Sequence, residues 1–107
     1  MADKPLTQRI RETPGFDPNL WLNDASSFLR DAQVRSNYNA IAALRAVLAD
    51  RFSSQIGYDN ERSYREADAF LFTAATKADE LSHGDPVRDF YSRATGYKNS
   101  ELAGATR

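Results

Sequence analysis

Two Asp-Pro pairs, Asp17-Pro18 and Asp85-Pro86, each stand directly before apolar residues with helical spacing. Asp at this position accepts hydrogen bonds from the free amides of a first helical turn, and Pro gives up an amide that would have no partner. Asp59 offers a third helix start. No stretch alternates apolar and polar residues with β-branched side chains, so the sequence predicts an all-α fold. Glycines that can close helices in the left-handed conformation follow three of the candidate helices: Gly57, Gly84 and Gly96.

Apolar spacing sets the predicted helix boundaries. The stripe that contains Trp21 and Phe28 lies about half a turn away from the stripe that contains Ile41 and Leu44. One straight helix would carry two apolar faces on opposite sides, so we predict a break between residues 33 and 37, capped by residue 36 or 37. The result is a small antiparallel bundle of about four main helices, near 18–33, 37–56, 60–83 and 86–95.

Short polar arms flank this bundle in the predicted domain organisation. Residues 1–16 form an N-terminal arm with a short turn of helix near Leu6 to Arg11, residues 17–96 form the helical domain, and residues 97–107 form a C-terminal arm. The whole chain of 107 residues fits one domain. Both arms are polar and are interrupted by Gly or Pro, so we expect them to be mobile in the isolated chain.

Apolar residues of the third predicted helix recur at spacings of three and four, which predicts a narrow seam that packs on a neighbouring helix. Phe72 does not fit this seam, because it lies about 130° from the centre of the stripe. Leu20, Trp21 and Leu22 likewise place apolar groups on three sides of one turn. The seam consists of Tyr64, Ala67, Leu71, Ala74, Ala78 and Leu81.

These misfits have two explanations. Either the helices are covered on all sides, or they expose apolar surface to a partner. We predict a partner interface, and burial in the core stays the alternative for Phe72 and the favoured one for Trp21. The candidate interface residues are Phe72, Arg65, Thr76, Trp21 and Leu20.

The residue types argue against a catalytic, metal or cofactor site. His83 is the only histidine, and Glu80 precedes it with the spacing used in di-iron helical bundles. Such sites need two of these motifs and two further carboxylates, so one chain cannot complete one. In the last helical turn before Gly84, a His cation suits the negative end of the helix dipole. The chain has no Cys and no nucleotide-binding or nucleophile motif. We therefore predict no catalytic residue, no metal and no cofactor.

Charge and hydropathy narrow the class of partner. The 14 basic and 15 acidic residues are well mixed, which argues against a phosphate-binding face and hence against nucleic acid. The longest apolar run, residues 40–44, is far short of a membrane span. We therefore expect no membrane partner and a location in the cytoplasm, or in an assembly made there. The alternative is a nucleic-acid-associated regulator that uses a C-terminal cluster, Arg88, Arg93, Tyr97, Lys98 and Arg107.

The favoured function is non-catalytic. We expect a small helical subunit or adaptor that acts through protein–protein contacts, either in a homo-oligomer or in a larger assembly. Small virion components and small inhibitor proteins of phages share this general profile, which is an analogy of type and not a motif match.

Overall fold

The computed structural model describes residues 4–96, and these residues contain five α-helices and no β-strand. A 3₁₀ turn, Pro18–Trp21, precedes the second helix, and a π-helical turn, Phe52–Ile56, follows the third. The all-helical prediction is therefore confirmed. In chain order the helices are α1 (Leu6–Glu12), α2 (Leu22–Arg35), α3 (Tyr38–Arg51), α4 (Asn60–Asp79) and α5 (Pro86–Thr95).

The predicted break between α2 and α3 is confirmed, and two residues produce it. Ser36 ends α2 in the left-handed conformation, with a φ of 53°. The side chain of Asn37 then accepts a hydrogen bond of 3.1 Å from the amide of Ala40, which caps α3. This turn brings the apolar stripes of both helices to the interior, so that Leu29 and Ile41 are both buried.

Both Asp-Pro pairs begin helical segments as predicted, but only the first is capped by its own Asp. The carboxylate of Asp17 accepts from the amide two residues further on. At the start of α5, the amides of Val87 and Arg88 donate instead to Asp79, at 2.8 and 3.1 Å. Asp79 is buried at the end of α4. This long-range cap fixes the start of α5 against the end of α4.

The end of α4 corrects the predicted boundary. The helix ends at Asp79 and not near residue 83, because the chain turns back at once to bring the amides of α5 onto the Asp79 carboxylate. Leu81, assigned to the seam, is 78% exposed. His83 is exposed beyond the helix and not within its last turn, so the helix-dipole explanation for this residue is wrong.

Helix α4 lies at the centre of the fold and contacts α2, α3 and α5. Ala67, Leu71 and Ala74 are fully buried, which confirms this part of the seam. Phe72 is also buried, with 6% of its surface exposed, although it faces away from the seam. This burial favours the core alternative for Phe72, and its place at a partner interface stays a prediction. Its ring belongs to the core, because Leu22 of α2 lies beside it on this side of α4.

Residues 6–16 pack on the core and do not extend as an arm. Leu6 and Ile10, four residues apart on α1, are both buried. The ring of Phe16 meets the ring of Phe52 edge to face, with 5.0 Å between the centroids. The short helix was predicted, but its docking was not. The predicted C-terminal arm, residues 97–107, lies outside the described residues.

Arg51, the last residue of α3, secures this N-terminal segment. Its guanidinium donates hydrogen bonds to the backbone carbonyls of Arg11, Thr13 and Gly15, at 3.3 Å for the first and 2.8 Å for the second. It also lies over the ring of Phe16, 5.7 Å from the centroid. One side chain thus satisfies several carbonyls of an irregular segment and joins that segment to α3.

Candidate interaction surface

A buried carboxylate on α4, Asp68, links three helices. Arg45 of α3 donates from Nε to Oδ1 at 2.7 Å and from Nη2 to Oδ2 at 3.0 Å. The hydroxyl of Tyr91, on α5, donates to Oδ1 at 2.6 Å. Arg45 also lies over the ring of Tyr64, 4.7 Å from its centroid. The charge of Asp68 is therefore fully engaged in holding α3 and α5 against α4.

The second buried carboxylate, Asp79, is engaged in the same way. Besides the two amides of α5, it accepts a hydrogen bond of 2.9 Å from Nε of Arg88. Within residues 4–96, no three His, Asp or Glu side chains come together in an arrangement that could hold a metal ion. Over the same residues, no helix combines the length and apolar character needed to cross a membrane.

The two arginines of the alternative nucleic-acid cluster that lie within the described residues are both paired with carboxylates. Arg88 is bound to Asp79, and Arg93 forms an ion pair of 3.0 Å with Asp89. Tyr91, which lies between these two arginines in the sequence, is fully buried and offers no ring surface for stacking on a base. The remaining members of the cluster lie outside the described residues: Tyr97, Lys98 and Arg107.

The predicted interface residues lie at different depths. Trp21 is half-buried against the core, and the guanidinium of Arg9 lies 5.4 Å from the centroid of its ring. Leu20, in contrast, is 72% exposed. Thr76 and Arg65 are exposed on α4.

One surface brings several of these residues together, and we call it the α2–α4 surface. It consists of two adjoining depressions between α2 and α4 that share the side chain of Lys77. The first, the threonine depression, measures about 330 Å³ and is lined by Leu22, Phe72, Thr73, Thr76, Lys77 and Glu80. The second, the arginine depression, measures about 180 Å³ and is lined by Asn23, Ser26, Ser27, Arg30, Lys77, Ala78 and Leu81.

The two exposed leucines lie at the same end of this helix pair. Leu22 of α2 and Glu80, just after α4, line the same depression. Leu20 is two residues before Leu22, and Leu81 directly follows Glu80. Both leucines are more than 70% exposed. Of the predicted candidates, the α2–α4 surface thus includes Thr76 and the edge of Phe72, with Leu20 beside it.

Arg65 lies outside this surface. It is seven residues, about two helical turns, before Phe72 on α4, and it lines neither depression. Arg65, a candidate interface residue in the sequence, is therefore not part of the α2–α4 surface.

Sequence reasoning missed Arg30, Lys77 and Leu81 as surface residues of one site. Arg30 and Lys77 belong to different helices, 47 positions apart, and no local spacing joins them. Leu81 was assigned to the seam because it continues the three-and-four spacing. The Gly84-Asp85-Pro86 sequence marks a helix boundary nearby, but it does not give the turn at Asp79.

Comparison with known proteins adds no relative. The chain matches no protein-family model, and neither the curated proteins nor the solved structures give a match. Its function must therefore be argued from its own surface.

Proposed function

We propose that this protein is a non-catalytic helical subunit or adaptor that acts through protein–protein contacts made by the α2–α4 surface. The observation that carries the proposal is the pair of leucines at one end of this surface, Leu20 and Leu81, which are 72% and 78% exposed. Burial of apolar side chains against a partner is the main favourable term in most protein associations. Such a pair beside shallow depressions supports a contact surface.

The engagement of the buried charges supports the same proposal. Asp68 and Asp79 are the buried carboxylates of the described chain, and both bind arginines and further donors inside the fold. They therefore stabilise the helix packing. On the α2–α4 surface, in contrast, Lys77 and Thr76 are exposed to solvent.

The depressions have the dimensions of contacts for single side chains. Drug-sized ligands occupy largely apolar pockets of roughly 300–1,000 Å³. The arginine depression, at about 180 Å³, is smaller than this range, and the threonine depression, at about 330 Å³, is at its lower limit and is lined mostly by polar residues. Protruding side chains of another protein would fit both.

A matched pair of variants tests this function. Leu20 and Val34 are equally exposed, at 72%, but Val34 lies in the last turn of α2, at the end opposite to Leu20. Sedimentation velocity across a wide concentration range should give the mass of the wild type, of the double variant Leu20→Ser/Leu81→Ser and of Val34→Ser. Affinity capture from the native host should be quantified for the same three proteins.

We expect association, with itself or with a captured protein, that the double variant loses and that Val34→Ser retains. A strictly monomeric wild type that captures the same proteins as the double variant would contradict the proposal. So would turnover of a substrate by the purified chain.

A further inference from the structure

The arginine depression carries two cations, Arg30 and Lys77, that form no ion pair with any described residue. Seven ion pairs lie within residues 4–96, and none of them includes Arg30 or Lys77. Arg30 and Lys77 reach the same depression from opposite sides, one from α2 and the other from α4. Two unpaired cations at one depression form a local positive field that suits an anionic partner.

The nearby acidic residues of α2 do not neutralise this field. Asp24 binds Arg9 at 2.7 Å, and Asp31 binds Arg35 at 3.0 Å. Glu80 lines the threonine depression on the other side of Lys77 and does not line the arginine depression.

The rest of the lining shows what kind of anion fits. Leu81 provides an uncovered apolar side chain, 78% exposed. Asn23 and Ser27 are exposed and offer an amide and a hydroxyl for hydrogen bonds, whereas the hydroxyl of Ser26 is directed to backbone carbonyls of α2 and α4. The depression thus combines charge, polar groups and apolar surface within about 180 Å³.

We propose that the arginine depression docks an acidic protein segment, in which carboxylates pair with Arg30 and Lys77 and an adjacent apolar side chain covers Leu81. This inference rests on the proposed function and specifies the chemistry of the partner. The guanidinium of Arg30 suits a carboxylate because its planar N–H groups can bind both carboxylate oxygens.

A nucleic acid suits this depression less well. Binding through phosphates needs many neutralised charges, on the order of six to ten for strong salt-dependent affinity. The depression offers two, and Leu81 has no counterpart on a phosphate backbone.

The test is an NMR titration of the ¹⁵N-labelled full chain with a defined probe. The probe is a synthetic peptide in which one Leu is flanked on each side by two Glu residues. Matched peptides replace every Glu by Gln, or the Leu by Ser, and a thymidine oligonucleotide serves as the phosphate probe. NMR detects weak binding and locates it on the chain.

We expect saturable shifts of the amides of residues 23–30 and 77–81 with the acidic peptide. The Gln peptide should give none, and the Ser peptide should bind more weakly. Single Arg30→Ala and Lys77→Ala variants should each weaken binding about twofold to fivefold, the range of exposed ion pairs. Arg65→Ala removes an exposed arginine of α4 outside the depression, so it should bind as the wild type does.

Three results would overturn the inference. These are the lack of saturable shifts in the two segments, equal binding of the Gln peptide, and tighter binding of the oligonucleotide at the same amides. The proposed function fails separately, because it is measured by self-association and protein capture. Loss of capture in the leucine double variant, together with no binding of the acidic peptide, would retain the function and reject only the acidic partner.

Discussion

Charged residues on the two sides of α4 differ in burial and in pairing. Toward α3 and α5, the carboxylates of Asp68 and Asp79 are buried, and each binds an arginine and at least one further donor. Toward the outer part of α2, Arg30 and Lys77 border an open depression and have no carboxylate partner within the described chain. A well-mixed charge composition therefore conceals a division between charges that hold the helices together and charges that have no ion-pair partner within the described chain.

The largest effect on stability should come from the inner side of α4, which faces α3 and α5. Asp68→Ala removes the carboxylate that accepts hydrogen bonds from Arg45 and from the hydroxyl of Tyr91, and breaking a buried pair in this way costs about 3–5 kcal/mol of unfolding free energy. Urea unfolding monitored by circular dichroism measures this loss. Arg65→Ala is the control from the exposed face of α4, and it should change stability by less than about 0.5 kcal/mol. Equal losses of unfolding free energy in the two variants would contradict the difference between buried and exposed charges on α4.

Phe72 tests where the core ends and the outer surface begins. Because its ring is 6% exposed and one edge lines the threonine depression, we expect Phe72→Ala to cost about 3 kcal/mol, at the lower end for such truncations. The thermal midpoint of a sample that stays monomeric is the relevant measurement. An unchanged midpoint accompanied by weaker self-association would show that Phe72 contributes to an interface and not to the core.

A single hydroxyl tests the inner network more finely. Tyr91→Phe keeps the buried ring and removes the hydroxyl that donates the hydrogen bond of 2.6 Å to Asp68. Hydrogen bonds to charged groups contribute roughly 1.5–3 kcal/mol, so we expect a loss of about 2 kcal/mol in chemical denaturation. Tyr38→Phe is the matched control, because Tyr38 is 47% exposed and stacks on Phe90 through its ring. Comparable losses in both variants would mean that the Asp68 network adds no more than an ordinary surface hydroxyl.

Substitutions on the outer side of α4, which borders the arginine depression, should change binding and leave stability unchanged. Leu81→Ser replaces a side chain that is 78% exposed, so the unfolding free energy should change by less than about 0.5 kcal/mol. Differential scanning calorimetry of the dilute chain checks this. A loss comparable to that of Phe72→Ala would show that Leu81 is covered within the folded chain, as the seam assignment required.

The smallest effect concerns a surface ion pair and depends on pH. Hydrogen bonds from Lys4, at 2.8 Å, and from Gln8, at 2.9 Å, lower the pKa of Glu12 from its ordinary value of 4.5. Because the folded pKa lies below the unfolded one, the ionised carboxylate stabilises the fold above pH 4.5, and this contribution is lost as the pH falls through the lowered pKa.

Glu12→Gln should therefore be slightly less stable than the wild type at neutral pH, and the difference should vanish in acid. Paired urea titrations at neutral and strongly acidic pH measure it. A difference that grows on acidification would contradict the sign of the linkage.

Much of the fold followed from local signals. The Asp17-Pro18 and Asp85-Pro86 pairs gave helix starts, and the shift between the stripes around Phe28 and Ile41 gave the break that Ser36 produces. These features act over one or two turns of helix, which a sequence pattern can represent.

The errors came from interactions between distant residues. Asp79 binds amides eight and nine positions later, and this contact ends α4 early and exposes Leu81. The burial of Phe72 depends on the packing of α2 beside α4. For the same reason, the sequence predicted only part of the candidate surface. Arg30 and Lys77 come together through helix packing, which no local pattern indicates. Leu20 could be predicted as an interface residue because apolar residues crowd its own turn.

The attachment of the first residues to Arg51 has a consequence for the order of events during synthesis. Arg11, the earliest residue whose carbonyl Arg51 binds, is made 40 positions before Arg51 itself. At translation rates of about 5–20 residues per second, this interval lasts roughly 2–8 seconds. Throughout that interval α1 lacks the side chain that holds it, and Leu6 and Ile10 have no α3 to pack on. Burial of Leu6 and Ile10 against α3 is therefore a late event in the synthesis of this part of the chain.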